Sequence, residues 1–318
     1  MSIEIINGLD ALKKTYPNLV LTIGNFDGIH IGHQKIMKKV VGEAKAHRGT
    51  SMAMSFEPHP VKVISPESNL TLLTPTLEKA RIMGLMGIEK LLLINFSREF
   101  ASLGPDEFIE KVLLEKLRPR VVIVGHNYAF GKAKRGTTAL LRRRGVKYGF
   151  RLIVVRNAKL GGHVVSSSRT RLLLEKGRVA EAARLLGRAY MIEGEVVRGA
   201  GRGARLLGFP TANIETPHEL IPREGVYAVK VRMNGKPYKG VLNIGMNPTF
   251  GNSKLTCETY IMDFSGDLLG SEIRVYFIER IRSEEKFPSP QALKEAIEKD
   301  VKEAERVFSR VGDRVKIL

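Results

Sequence analysis

The sequence runs to 318 residues, 43% of them apolar, with one cysteine, Cys257; that length favours about two domains over one core, and a lone cysteine excludes an internal disulfide framework or a multi-cysteine zinc site. Lysine and arginine number 52 against 33 acidic residues, a formal net charge of +19, which gathers anions of every kind without choosing among nucleic acid, membrane surface and phosphorylated metabolites. No stretch approaches the ~18 apolar residues of a membrane span, and Met1 to Asp10 carry acids with no apolar run, so a soluble, cytoplasmic protein with no signal peptide or membrane partner is expected.

Apolar runs at Leu19–Gly24, Ser51–Phe56, Lys90–Asn95, Val121–Gly125 and Leu152–Arg156 read as strands. Between them Gln34–Ala46, Leu77–Met86, Pro105–Leu117 and Thr138–Val146 read as helices. Alternation of this kind predicts a parallel sheet wound by right-handed crossovers, with ligands at the carboxyl ends of its strands. The first such end carries Gly24-Asn25-Phe26-Asp27-Gly28-Ile29-His30-Ile31-Gly32-His33 and then a helix. Glycines let a backbone approach phosphates closely, and a helix N-terminus offers unpaired N–H groups and positive partial charge. Two histidines spaced i, i+3 can donate to one anion. Either histidine alone reads as a surface or core residue; strand, glycine-rich turn, paired histidines and helix together read as a triphosphate cradle. A metal is the weaker alternative, because no carboxylate or third histidine stands at suitable spacing.

The run Lys132 to Lys147 is densely basic and reads first as a solvated helix face, second as a phosphate funnel and third as a nucleic-acid site. It lacks the interleaved aromatic residues of a base-stacking platform. Further on, Val165-Ser166-Ser167-Ser168-Arg169-Thr170-Arg171 opens another helix, where hydroxyls can cap and the arginines can clamp a polyphosphate.

With His-x-Gly-His near the first strand and Ser-Ser-x-x-x-Arg late in the domain, this half resembles the nucleotidyltransferase superfamily. The fuller string at Gly24–His33, the Ser55-Phe56-Glu57-Pro58-His59-Pro60 loop and Val124-Gly-His-Asn127-Tyr-Ala-Phe-Gly131 are similar to the FMN adenylyltransferase module of bacterial FAD synthetases. The resemblance implies that His30 and His33 hold ATP phosphates, with Gly24, Asn25, Phe26, Asp27 and Gly32 in the same turn. It further implies that Ser166, Ser167, Ser168 and Arg171 complete the cradle, that Asn127 sits near the nucleotide, and that Phe56, Pro58, His59 and Pro60 line the flavin side. Tyr128-Ala129 departs from the family's usual Phe-Arg, and Lys132 or Lys134 is the candidate substitute.

After a short helix, Val179–Leu186, the alternation stops at Gly187-Arg188. Val196, Val226–Arg232, Lys239–Ile244, Thr259–Phe264 and Ile273–Glu279 read as short strands of a small antiparallel barrel or sandwich. A long terminal helix follows, with Ser289 as N-cap, Pro290 in the first turn and Ala292–Phe308 as its body. The expected domains are therefore 1–186 and 187–318. Gly199-Ala-Gly201-Arg-Gly203-Ala204 imitates a dinucleotide fingerprint, but Gly208 and Pro210 forbid the long helix which that fingerprint requires. No Walker-type loop is present, since neither Gly-Lys pair is followed by Ser or Thr.

Instead, Gly199 to Asn213 with its Gly208-Phe-Pro-Thr211-Ala-Asn213 ending closely resembles the riboflavin kinase signature. So do Gly225-Val-Tyr-Ala, Asn243-Ile-Gly-Met-Asn-Pro-Thr-Phe250, Cys257-Glu258-Thr-Tyr and Ile281-Arg282-Ser-Glu-Glu-Lys-Phe287, all in family order. The resemblance implies ATP phosphates at Gly201 and Gly203, Mg²⁺ on Thr211 and Asn213, Glu258 as base toward the riboflavin 5′-hydroxyl, and Arg282 near the flavin. Leu269 replaces a common tyrosine, with an altered contact expected. The whole chain thus reads as a bifunctional enzyme that makes FMN and then FAD with two ATP. Its alternatives are retention of one activity, or a flavin-responsive nucleic-acid-binding regulator motivated by charge alone; self-association is left open.

Overall fold

The computed structural model describes residues 3–198, 209–249, 252–312 and 314–318. By contacts the chain divides into two compact units, 1–166 and 167–318.

The first unit contains β1 (Glu4–Asn7), β2 (Val20–Ile23), α1 (Ile31–Ala46), β3 (Ser51–Glu57), α2 (Pro60–Ile64), α3 (Thr76–Leu85), β4 (Lys90–Asn95) and α4 (Arg98–Ser102). Then come α5 (Pro105–Glu107), which runs into a π-helical stretch Phe108–Leu117, β5 (Val121–Gly125), β6 (Ala129–Phe130), β7 (Gly136–Thr137), α6 (Thr138–Tyr148), β8 (Arg151–Val155), β9 (Lys159–Leu160) and β10 (His163–Val164). Six strands form one sheet in the order β1-β4-β3-β2-β5-β8, with every pair parallel. All four residues of β2 and the first four of β5 are buried, as strands covered by helices on both faces must be. The chain leaves β2 toward β3 and β4, then crosses back to β5, so the direction of winding reverses beside β2. Ligands of open α/β sheets gather at such a switch point. The sequence shows five of the six strands; β1 buries only Ile6 and so lacks an apolar run.

The second unit begins with α7 (Ser167–Glu175) and α8 (Val179–Leu186), then continues through β11 (Tyr190–Val197), β12 (Thr211–Glu215), β13 (Gly225–Met233), β14 (Lys236–Thr249), β15 (Asn252–Ile261), β16 (Glu272–Arg282) and α9 (Pro290–Val311). Its six strands close an antiparallel barrel in the order β11-β12-β15-β14-β13-β16. Ser289 caps α9 by accepting from the Ala292 N–H at 3.1 Å. That helix lays Ala304, Val307 and Phe308 into a core shared with Ala228, Val241 and Tyr276. The contact border falls at 166/167, earlier than the sequence border at 186/187, because α8 buries Val179, Ala182, Ala183, Leu185 and Leu186 and packs on β16. Among the described residues, no helix is long and apolar enough to cross a membrane.

Candidate functional site

The turn after β2 is built under strain. Phe26 and Ile29 both take left-handed backbone angles, φ 50° and 37°, a region costing roughly 1–3 kcal/mol per residue and rare for a β-branched side chain. The distortion brings two imidazoles together at the start of α1. His30 is the N-cap, its Nδ1 accepting from the His33 N–H at 3.3 Å. With Nδ1 used as an acceptor, the neutral ring carries its proton on Nε2. The rings of His30 and His33 stack with centroids 3.7 Å apart, and Phe26 meets His33 edge-on at 5.3 Å.

Two glycines make this packing feasible. A Cβ at Gly24 would stand 3.0 Å from the Phe26 ring, and one at Gly32 would stand 3.0 Å from His30 Cε1. Burial, followed by the charges of His30 and Lys79, holds His33 well below the usual histidine range. It is therefore neutral at pH 7 and acts as a hydrogen-bonding ring, while its Nδ1 is buried with no partner among the described residues. Beside the rings, the first-turn N–H groups of Ile31 and Gly32 lack intrahelical acceptors, as helix geometry requires, and add the partial charge of a helix N-terminus.

The other residues expected here divide by role. Asp27, buried, accepts from the Leu73 N–H at 2.9 Å and the Thr74 N–H at 3.2 Å, pinning the segment that leads into α3. Asn25 and His59 Nε2 hydrogen-bond at 3.0 Å, and Ser55 Oγ donates to the Asn25 carbonyl at 3.1 Å, tying the turn to the loop of Phe56, Pro58, His59 and Pro60. His59 caps α2, and Phe56 packs against Phe96 and Phe100. Asn127 is exposed just beyond the carboxyl end of β5, and its neighbour Tyr128 stacks on Phe130 at 5.6 Å. Ala129, Lys132 and Lys134 are exposed, as are Arg142, Arg143 and Lys147, so most of the basic run is a solvated face; Arg144 pairs with Asp106 at 2.7 Å. Ser166 ends the first unit, whereas Ser167, Ser168 and Arg171 lie in the first turns of α7 in the second.

Sequence reading missed Lys79. It sits in α3, which packs on the Asp27–Ile29 turn, and is only 3% exposed. Burial lowers its pKa against the opposing pull of Asp27 and Glu57. A lysine in a mixed helix ordinarily reads as solvated, and only the lie of α3 over the turn buries this one.

In the barrel, Thr211 and Asn213 alternate on β12, so they share a face. Across the ladder Asn213 stands opposite Glu258 on β15, and Glu258 stands opposite Asn243 on β14. Opposed residues of an antiparallel ladder project to the same side, which gathers the oxygens of Thr211, Asn213, Asn243 and Glu258 on one patch. Asn243 lies in a motif recognised from sequence, but its place in this row follows only from the register. Gly201 and Gly203 lie outside the described residues. Arg282 makes a two-pronged ion pair with the buried Asp300 of α9, both contacts at 2.8 Å, and its guanidinium lies 5.4 Å from the Phe287 ring centroid. Leu269 is exposed. Cys257 is buried, which pushes its thiol up to about 12 and leaves it unreactive.

The FAD synthetase family model matches residues 12–169, and the riboflavin kinase model matches residues 186–308. A bifunctional riboflavin kinase/FMN adenylyltransferase of Escherichia coli K12 is 36% identical over 96% of this chain and 98% of its own length. One from Pseudomonas fluorescens is 36% identical over 94% and 96%. A solved structure described as a macrolide-efflux protein from Streptococcus pneumoniae superposes with a TM-score of 0.87 at 30% identity, covering 95% of this chain and 99% of the other. With both family models matched in order and relatives aligned over nearly their whole length, this chain belongs to the bifunctional riboflavin kinase/FMN adenylyltransferase family.

Proposed function

We propose that this chain phosphorylates riboflavin to FMN on its barrel and adenylylates FMN to FAD on its parallel-sheet domain, each with one ATP. The observation that carries the reading is the presence in one chain of two separate sites of the right chemistry. One is a stacked imidazole pair at a helix N-terminus, and the other is a carboxylate facing oxygen donors on a barrel wall. Activity is assigned to residues 1–186 for the adenylyltransferase and 187–318 for the kinase, although α7 and α8 pack with the barrel.

In the kinase step Glu258 accepts the proton of the riboflavin 5′-hydroxyl as that oxygen attacks the γ-phosphorus of ATP, and ADP leaves. Thr211 and Asn213, both oxygen donors on one face, suit a hard cation and would hold Mg²⁺. When bound, Mg²⁺ neutralises charge on the transferred phosphoryl group. Gly201 and Gly203 are assigned to the ATP phosphates, and Arg282 to holding the flavin-side segment through its pair with Asp300.

In the second step a phosphate oxygen of FMN attacks the α-phosphorus of ATP and pyrophosphate leaves. The principal task is to hold negative charge that grows in flight. His30 and His33, paired imidazoles at the helix N-terminus, take that task, with Ser166, Ser167, Ser168 and Arg171 assigned to the departing phosphates. Gly24, Asn25, Phe26, Asp27 and Gly32 shape the turn; Asn127 is assigned to the nucleotide, and Phe56, Pro58, His59 and Pro60 to the flavin side. A cytoplasmic setting fits the single, buried, unreactive thiol.

The test is a dissection by unit. Residues 167–318 expressed alone are expected to fold as a β-rich protein that converts riboflavin and ATP to FMN and makes no FAD. Residues 187–318, lacking the α8 face, are expected to keep the activity at lower stability. A folded 167–318 fragment without kinase activity would contradict the assignment.

A further inference from the structure

The second unit carries a cavity of about 820 Å³ that belongs to neither assigned site. Its walls are α8, the Ile278–Arg280 stretch of β16, Arg310 and Val311 at the end of α9, and Arg314 to Lys316. In the closed barrel order, β16 is three strands from β15 in either direction, so this wall lies opposite the one that bears Glu258.

Among the described residues, seven cationic side chains line the cavity against two carboxylates. Arg178 pairs with Glu181 at 2.5 Å, and Arg310 with Glu279 at 2.6 Å, which uses both acids. Among the described residues, the side chains of Arg184, Arg314 and Lys316 have no ion-pair or hydrogen-bond partner, and all three are exposed at the rim. Arg280 is held deeper, its Nη2 donating to the Glu224 carbonyl at 2.6 Å. Gly177 closes on its stem so tightly that a Cβ there would stand 2.6 Å from Arg280 Cδ. The excess charge is thus arranged around a concavity of small-ligand size, with one guanidinium set in position by the backbone.

Guanidinium groups match phosphate oxygens in two-pronged geometry. Among the described residues, no aromatic side chain lines the cavity, so they offer no stacking surface for a base or a flavin ring. We infer that this cavity is a binding site for an oligophosphate chain, held by Arg184, Arg314, Lys316 and Arg280 on the barrel wall opposite Glu258. Such a chain comes either free, as pyrophosphate or tripolyphosphate, or as the tail of a nucleotide.

The test uses the full-length enzyme and its Arg184→Gln/Arg314→Gln double variant, both titrated calorimetrically with tripolyphosphate and, separately, with ATP. Both catalytic sites are unchanged in the variant, so the difference between the titrations isolates the cavity. The variant is expected to lose one binding event, or to show it weakened at least tenfold, while both synthetic rates stay within about twofold of wild type. Loss with tripolyphosphate and ATP alike identifies the chain itself as the ligand; loss with ATP alone identifies a nucleotide tail. Superimposable titrations would overturn the inference. So would unchanged oligophosphate binding accompanied by loss of duplex RNA binding in a salt-dependent assay. Should the double variant fail to fold, Arg184→Gln alone, at an exposed helix position, carries the same comparison.

Discussion

Replacing His30 by alanine removes two functions at once, and a second substitution separates them. As the N-cap of α1, His30 accepts from the His33 N–H at 3.3 Å; losing a cap costs about 1 kcal/mol. Its ring also stacks on His33 with centroids 3.7 Å apart, and an aromatic pair adds about 0.5–1.5 kcal/mol. His30→Ala is therefore expected to destabilise the first unit by about 2 kcal/mol in urea denaturation. Separately, losing one preorganised donor to developing phosphate charge costs about 10²–10³ in rate. His30→Asn restores a capping oxygen without the ring, so about half the stability loss should return while the rate loss remains. The assay supplies FMN and ATP and follows FAD by chromatography, with FMN formation from riboflavin as the internal control. FAD synthesis by His30→Asn within a few-fold of wild type would refute the assigned role, because the remaining effect of alanine would then be capping alone.

Other outcomes follow from the second unit. Glu258→Gln keeps size and shape but removes the base, so FMN formation should fall by about 10²–10⁴, with FAD formation from supplied FMN intact in the same coupled assay. Arg282→Ala strands the buried Asp300 carboxylate without its two 2.8 Å contacts, and should destabilise the barrel by about 3–5 kcal/mol; Arg282→Ala/Asp300→Asn should recover part of that loss, which denaturant melts will show. His218 is pushed down to about 4 by burial, so the folded barrel keeps it neutral while the unfolded chain protonates near pH 6.5. Its contribution to stability is then complete above pH 6.5 and declines as pH falls toward 4, by about 3 kcal/mol in all. An unchanged pH slope of stability in His218→Asn would contradict this.

The two signatures were legible because each is a local string. Gly24 to His33 announces a glycine-rich turn and the start of a helix in ten consecutive residues, and Gly208-Phe-Pro-Thr211-Ala-Asn213 carries the kinase signature in six. What lay beyond the sequence depends on remote pairing. Asp27 looks like part of a ligand turn, yet its carboxylate is bonded to the amides of Leu73 and Thr74, far along the chain. Lys79 becomes part of the site only when α3 lies across that turn. β12 has no apolar alternation to reveal it, and exists because Thr211–Asn213 pairs with Tyr260–Glu258. The early contact border has the same origin: Val179–Leu186 reads as a short helix closing the first domain until β16 supplies the surface it covers.

The central claim is that one chain performs two chemically different ATP reactions in sequence. The most direct measurement incubates the purified protein with riboflavin, Mg²⁺ and ATP and quantifies FMN, FAD, ADP and pyrophosphate over time. FMN should appear before FAD, with one ADP for each riboflavin consumed and one pyrophosphate for each FAD formed. FAD accumulating without matching pyrophosphate, or FMN without matching ADP, would contradict the account.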